Sequence, residues 1–363
     1  MKILAGRSGG MEIVMQTKPA VLILENGMRF DGYAFGYIHE AVGEVVFSTS
    51  MTGYQEGITD PACAGQIVVL TYPLIGNYGV NLEDMEGEKP VLNALVVREK
   101  CDYPNNFRTE MDLDGFLRQN KVLGLEGIDT RALTRALREH GSMRGIITTE
   151  TLSDEDIKNK LDKFDNSDAV KRVSTKKKHT IDGKGKHVAF IDLGTKRSIL
   201  RAFSERDCKL TVFPYNATAE EILACEPDMV MISSGPGSPE DIPETVETVK
   251  AIIGKVPVCG ICLGHLVAGL AMGCSLKKLK FGHHGANQPA KCIECGKVFV
   301  TTQGHNYVLD NLPDGVEMSF VNVNDGTCEG IRSRENKVQS VQFHPEGAGG
   351  PLDTNFIFDD FLA

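Results

Sequence analysis

The decisive stretch is Val256-Pro257-Val258-Cys259-Gly260-Ile261-Cys262-Leu263-Gly264-His265. A short apolar run, Val258 to Ile261, reads as a buried strand, and Leu263 to Met272 reads as the helix that follows it. Cys262 stands at the turn between them, with glycine two residues before and two after. This is the sulfur version of the G-x-S-x-G turn, in which a nucleophile is held at the sharp corner between strand and helix. The glycines are needed because the turn is tight and the helix backbone crowds the sheet. The helix N-terminus brings free N–H groups and partial positive charge to the corner, which suit a thiolate nucleophile.

The same alternation extends to both sides of the corner. Val188–Asp192, Leu210–Phe213 and Met229–Ile232 are short apolar strands. Between and after them come helical segments at Thr195–Ser204, after the Thr218-Ala219-Glu220-Glu221 capping box, and near 243–253. Apolar strands alternating with helices give a mainly parallel sheet flanked by helices. Beyond residue 280 short strands return at Lys297–Thr302, Glu317–Val321 and Val338–Phe343.

Residues before 165 have a different texture. Val21-Leu22-Ile23-Leu24 runs into Glu25-Asn26-Gly27, where the Asn-Gly pair signals a hairpin. Gly43–Phe47 and Gln66–Thr71 continue a β-rich pattern, so this part is α+β. Asp129 caps a helix with Leu133 and Leu137 on one face and a solvated arginine face opposite. The organisation expected is a leader over 1–17, with Met11 and Met15 as alternative starts, then a domain over 18–165. A linker over 166–187 and a second domain over 188–363 complete it. Within the linker, 171–187 holds seven Lys/Arg against one acid, Asp182.

Composition sets the outer bounds. The chain has 363 residues, a net charge of −10, 41% hydrophobic and 24% charged side chains. That is an ordinary globular mix, with length for two domains. The acidic balance argues against coating nucleic acid or an anionic membrane, and no apolar run of about 18 residues is present to span one. The start does not read as a secretion signal, which points to a cytoplasmic protein. Ten cysteines are too sparse for a disulfide scaffold. Two pairs, Cys259/Cys262 and Cys292/Cys295, have the C-x-x-C spacing of a zinc knuckle, but the gap between them is long for a ribbon. No metal is expected.

A cysteine nucleophile needs a base and an oxyanion site. Val341-Gln342-Phe343-His344-Pro345-Glu346 reads as a strand ending in His344, with Glu346 two residues on and on the same face, able to orient the imidazole. Gly235-Pro236-Gly237 closes its strand at the sheet edge where ligands bind in open α/β folds. Its backbone, with the N–H of Leu263, offers an oxyanion site.

These pieces in this order resemble a class I, triad-type glutamine amidotransferase domain. The first half sharpens the likeness. Glu44-Val45-Val46-Phe47-Ser48-Thr49-Ser50-Met51-Thr52-Gly53-Tyr54-Gln55-Glu56, Thr59-Asp60-Pro61 and Leu70–Asn77 resemble the amino-terminal domain of the carbamoyl-phosphate synthase small-chain family. Phe281–Gly285 and Asp325-Gly326-Thr327 fit the same family, so the likeness covers about residues 20–363.

The resemblance implies glutamine hydrolysis to glutamate and ammonia. Cys262 would be the nucleophile, His344 the acid and base, and Glu346 the orienting group. Gly235 and Leu263 would serve the oxyanion, and Gly237 would help hold L-glutamine. Ammonia would pass to a large synthetase chain, the expected partner, which would use ATP with magnesium; no cofactor is expected on this chain. The family's glutamine-gripping positions differ here: Leu266 replaces a Gln, Ala62 a Ser, and Gln303-Gly304-His305-Asn306-Tyr307 replaces a Q-N-H-G-F run. Each lost hydrogen bond costs about 0.5–1.5 kcal/mol, so the three together weaken glutamine binding by roughly one to three orders of magnitude. Two other readings follow from these changes: a synthetase-docking paralogue with impaired glutaminase activity, and a cysteine amidase with another substrate.

Overall fold

A computed structural model describes residues 18–363; the leader expected over 1–17 lies outside the described residues. Seven strands of the first half close a barrel in the order Lys18–Leu24, Arg29–Gly36, Leu123–Glu126, Ala94–Val96, Gln66–Leu70, Ala41–Ser48 and Met143–Thr148. Closure leaves no exposed strand edge. Leu22, Val45, Ile67, Val69, Leu125 and Ile147 fill its interior. The Asn26-Gly27 hairpin joins the first two strands, with Gly27 at φ 85°. Helix Thr130–His140 is capped by Asp129, whose carboxylate accepts the Ala132 N–H at 2.9 Å. Leu133 and Leu137 are buried, and Arg131 and Arg135 face out.

The second half is a ten-stranded sheet whose central strands Lys209–Pro214, His187–Asp192, Met229–Ile232, Val258–Ile261 and Val338–Val341 are parallel neighbours. Helices cover both faces. Ile199 and Phe203 of Arg197–Ser204 pack with Phe358 of Ile357–Leu362 on one side. Ile222, Val249, Ile252 and Val267 from three other helices pack on the other. The Thr218/Glu221 capping box forms as expected.

Two sequence expectations change. The stretch read as a linker over 166–187 is exposed over much of its length but carries regular structure. Helix Ala169–Val173 buries Val170, and strand His179–Ile181 pairs antiparallel with Lys209–Pro214 as the sheet's edge. Lys176, Lys177 and Lys178 just before that strand suit a sheet edge, where charge discourages further pairing. Residues 275–292, where no strand was expected before 280, form an 18-residue strand with register breaks between Lys278 and His283 and between Gly285 and Gln288. Those irregularities interrupt the alternation that marks a strand in sequence.

The halves meet over the cleft described below. The Arg138 guanidinium lies 5.4 Å from the Phe47 ring centroid and 6.0 Å from that of Phe281, bridging the two halves. Ser142 N–H donates to Lys280 O at 2.9 Å, and Ser198 Oγ donates to Glu86 Oε2 at 2.5 Å.

Candidate active site

Cys262 sits between strand Val258–Ile261 and helix Leu263–Ala271 at φ 55°, ψ −108°. A non-glycine residue with positive φ is strained, and such strain persists only where the surroundings enforce it. Here they do. A Cβ at Gly264 would collide with the Ile232 carbonyl, and one at Gly260 would press on the Gly264 backbone. The helix is therefore clamped onto the sheet, and Cys262 takes up the turn. Its N–H donates to Val341 O at 3.0 Å, joining the corner to the strand that leads to His344.

His344 does not stand on that strand as the sequence suggested. The strand ends at Val341, and His344 is fixed three residues later by donating its N–H to Thr302 O at 2.9 Å. The i, i+2 pair still meets, because the turn after His344 brings Glu346 back: His344 Nδ1 donates to Glu346 Oε1 at 2.7 Å. Both are buried. Burial alone favours a neutral imidazole, but the negative charges of Glu346 and Cys262 outweigh it and push His344 up to about 10.

Lys196, which sequence reasoning missed, completes the cluster. Its Nζ lies 2.8 Å from Glu346 Oε1, and both side chains are almost fully buried. Burial would neutralise each, but Lys196 and His344 hold the Glu346 carboxyl well below the usual carboxylate range. Glu346, Asp60 and Glu86 likewise overcome burial and hold Lys196 protonated. The only signal for Lys196 was its place just after Gly194, at the carboxyl end of a central strand. Its main partner lies 150 residues on.

The residues singled out for substrate converge. A cleft of about 240 Å³ is lined by Cys262 together with Gly235, Gly237, Leu263, Leu266, Ala62, Gly304, Asn306 and Tyr307. Glu346 is not on this wall, and His344 faces an adjoining cavity of about 230 Å³. Leu266 is buried in an apolar cluster with Cys274 and Leu309. Ala62 N–H donates to Asp60 Oδ1 at 2.8 Å. A Cβ at Gly304 would meet nothing within 4 Å, so the absent side chain enlarges the cleft. His284 Nε2 donates to Asn306 Oδ1 at 2.8 Å, and burial holds His284 below its ordinary range.

The adjoining cavity runs from Lys196 and His344 into the barrel half, where Tyr72, Ile75 and Asn77 line it. Gln66, His284 and Gly304 border both spaces. Beneath the cleft lies a hydrogen-bonded cluster. Glu329, fully buried, accepts from Gln303 Nε2 at 2.9 Å and Asn322 Nδ2 at 2.9 Å, while His283 Nε2 donates to Asp325 Oδ2 at 2.8 Å. His283, His305 and Glu329 are close enough to share an ion, but neighbouring donors and acceptors engage all three.

Comparison with known proteins agrees with this geometry. The family model described as glutamine amidotransferase class-I matches residues 189–363, so the second half is a class-I glutamine amidotransferase domain, an enzyme class. The model described as carbamoyl-phosphate synthase small chain, CPSase domain, matches residues 22–147. Three similar proteins bear the name carbamoyl phosphate synthase small chain. That of Clostridium perfringens is 55% identical, covering 94% of this chain and 98% of the relative. That of Bacillus anthracis is 49% identical over 94% of both. That of Oceanobacillus iheyensis is 46% identical over 95% of both. The chain belongs to the carbamoyl phosphate synthase small-chain family. Among the described residues, no helix is long and apolar enough to cross a membrane.

Proposed function

We propose that this chain hydrolyses L-glutamine through Cys262, His344 and Glu346, and delivers the ammonia to a large synthetase chain. The observation that carries the reading is the strained Cys262 corner facing a histidine that Glu346 keeps charged. Cys262 attacks the side-chain amide carbon, and the oxyanion that develops is met by the N–H groups of Gly235 and Leu263. His344 protonates the departing nitrogen, leaving a γ-glutamyl thioester. The imidazole, now neutral, takes a proton from water, which attacks the thioester and releases glutamate. Glu346 steadies the imidazolium, while Lys196, whose charge opposes that of His344, keeps the proton transferable.

Three departures from the family pattern bear on the grip, and the Gln303–Tyr307 run has a local replacement. With its oxygen engaged by His284, Asn306 offers its amide nitrogen to the substrate. Gly237 and Tyr307 supply backbone and ring on the facing walls. Leu266 supplies only apolar contact. The adjoining cavity is the proposed ammonia route, because it starts at His344 and ends among barrel residues remote from Cys262. ATP and magnesium belong to the large chain in this reading, with no cofactor on this one.

The test is ammonia release from glutamine, by this chain alone and with a large chain, against Cys262→Ser. The substitution is expected to abolish release. Unchanged release would overturn the mechanism.

A further inference from the structure

The two C-x-x-C spacings part company in the fold. Cys259 is buried in a central strand, whereas Cys292 and Cys295 close the tip of the hairpin formed by Ser275–Cys292 and Val298–Asp310. That tip is a tight turn. Gly296 N–H donates to Cys292 O at 2.9 Å, Cys292 N–H donates to Lys297 O at 2.9 Å, and Gly296 takes φ 73°. Two cysteines separated by two residues across so tight a turn can reach disulfide geometry by a small adjustment of the backbone.

The turn brings the two residues together: Cys295 N–H donates to Cys292 Sγ at 3.4 Å. Their surroundings differ. Cys295 is exposed, while Cys292 is half-buried and packs on the apolar core with Phe320. The Cys292 hydrogen bond, the Lys297 N–H and the Lys297 charge hold the Cys295 thiol below its ordinary range, and burial pushes that of Cys292 up. Nothing in the proposed glutaminase chemistry uses either residue.

We propose that Cys292 and Cys295 form a reversible dithiol–disulfide site that exchanges with low-molecular-weight disulfides, with Cys295 as the attacking thiol and Cys292 as the resolving one. Cys295, as thiolate, attacks one sulfur of the small disulfide; the S–S bond breaks and one small thiolate leaves. Cys292 gives its proton to solvent and attacks Cys295 Sγ, expelling the second small thiolate. The protein dithiol is oxidised to one disulfide, and the small disulfide is reduced to two thiols. The strand that leaves this turn, Val298–Asp310, carries Thr302, which holds His344, and the cleft residues Gly304 to Tyr307. The site thus lies at the end of a strand that serves the active centre.

The experiment uses the full chain with Cys262→Ser, so that the candidate nucleophile cannot react, equilibrated with graded ratios of reduced and oxidised glutathione. Alkylation and peptide mass mapping then report each cysteine. As the oxidised fraction rises, alkylation at Cys292 and Cys295 should be lost together, with removal of two hydrogens confined to their peptide and reversal by dithiothreitol. Adding Cys292→Ser should leave a glutathione mixed disulfide standing on Cys295. Two results overturn the proposal: both thiols staying alkylatable at every ratio, or a mixed disulfide persisting on Cys295 while Cys292 is present. Cys292→Ser lies at the hairpin tip, away from the cleft, and the outcome does not depend on whether the chain hydrolyses glutamine.

Discussion

Two buried histidines flank Cys262, and the fold treats them in opposite ways. His265 follows Cys262 by three residues on the same helix, yet its ring meets only Ser340 Oγ at 2.9 Å, and burial drives it down to about 3. His344 lies 82 residues beyond the cysteine, yet Glu346 and the Cys262 charge lift it to about 10 against the same burial. Neither ring is more than 3% exposed, so solvent does not separate them. A carboxylate within hydrogen-bonding distance does, since desolvation and a nearby opposite charge act in opposite directions on a cation. A neutral His265 fills space and braces the strand of Ser340; a charged His344 can hand over a proton.

Four measurements would break or sharpen this contrast. The largest effect is expected from His344→Asn, which should lower glutamine hydrolysis by about 10²–10⁴-fold, the usual contribution of a positioned acid–base group. His265→Gln should cost less than about tenfold on the same scale. Equal losses would erase the distinction. Next comes Glu346→Gln, which removes the charge holding His344 protonated. Activity should fall by about 10²-fold and the basic limb of the kcat/KM profile should move to lower pH. A limb that stays in place would mean that Glu346 does not set the imidazole.

Lys196→Met acts on the same limb in the other direction. Its charge opposes that of His344, so its loss should move the limb to higher pH, with a fall in kcat of about tenfold. Breaking the buried pair with Glu346 should also lower the thermal midpoint.

The smallest effect concerns stability. His265 titrates near 6.5 when unfolded and is pushed down to about 3 when folded, so its share of stability is full above pH 6.5 and drains away on acidification toward 3. The slope approaches about 1.4 kcal/mol per pH unit for one proton. His344 runs the other way: its folded value is raised, so its share is full below about 6.5 and is lost as pH rises through about 10. Denaturation midpoints of His265→Gln should lose acid sensitivity between pH 6.5 and 4 and keep the alkaline decline. An unchanged acid slope would show that the buried ring is not its source.

Where a feature depends on neighbours in the chain, it was legible. The Gly260-x-Cys262-x-Gly264 corner, the Asn26-Gly27 turn, the Asp129 cap and the Thr218 capping box each rest on contacts within a few residues, and each forms. The glycine pattern around Cys262 is what a helix pressed against a sheet requires. Features made by distant partners were not legible. Lys196 is unremarkable in its own segment and gains its charge state from Glu346, Asp60 and Glu86. The register breaks hid strand Ser275–Cys292, and the charge of the 171–187 stretch hid an edge strand.

The sequence by itself determined the α/β alternation and the placing of a cysteine at a strained corner, because short-range sterics dictate them, and it named His344 and Glu346 as a pair, though a turn rather than strand spacing joins them. The tertiary structure alone decided which buried ring is charged. It also decided that residues from both halves enclose one cleft. Charge state depends on the groups a fold brings within a few ångströms, and no local pattern encodes that distance.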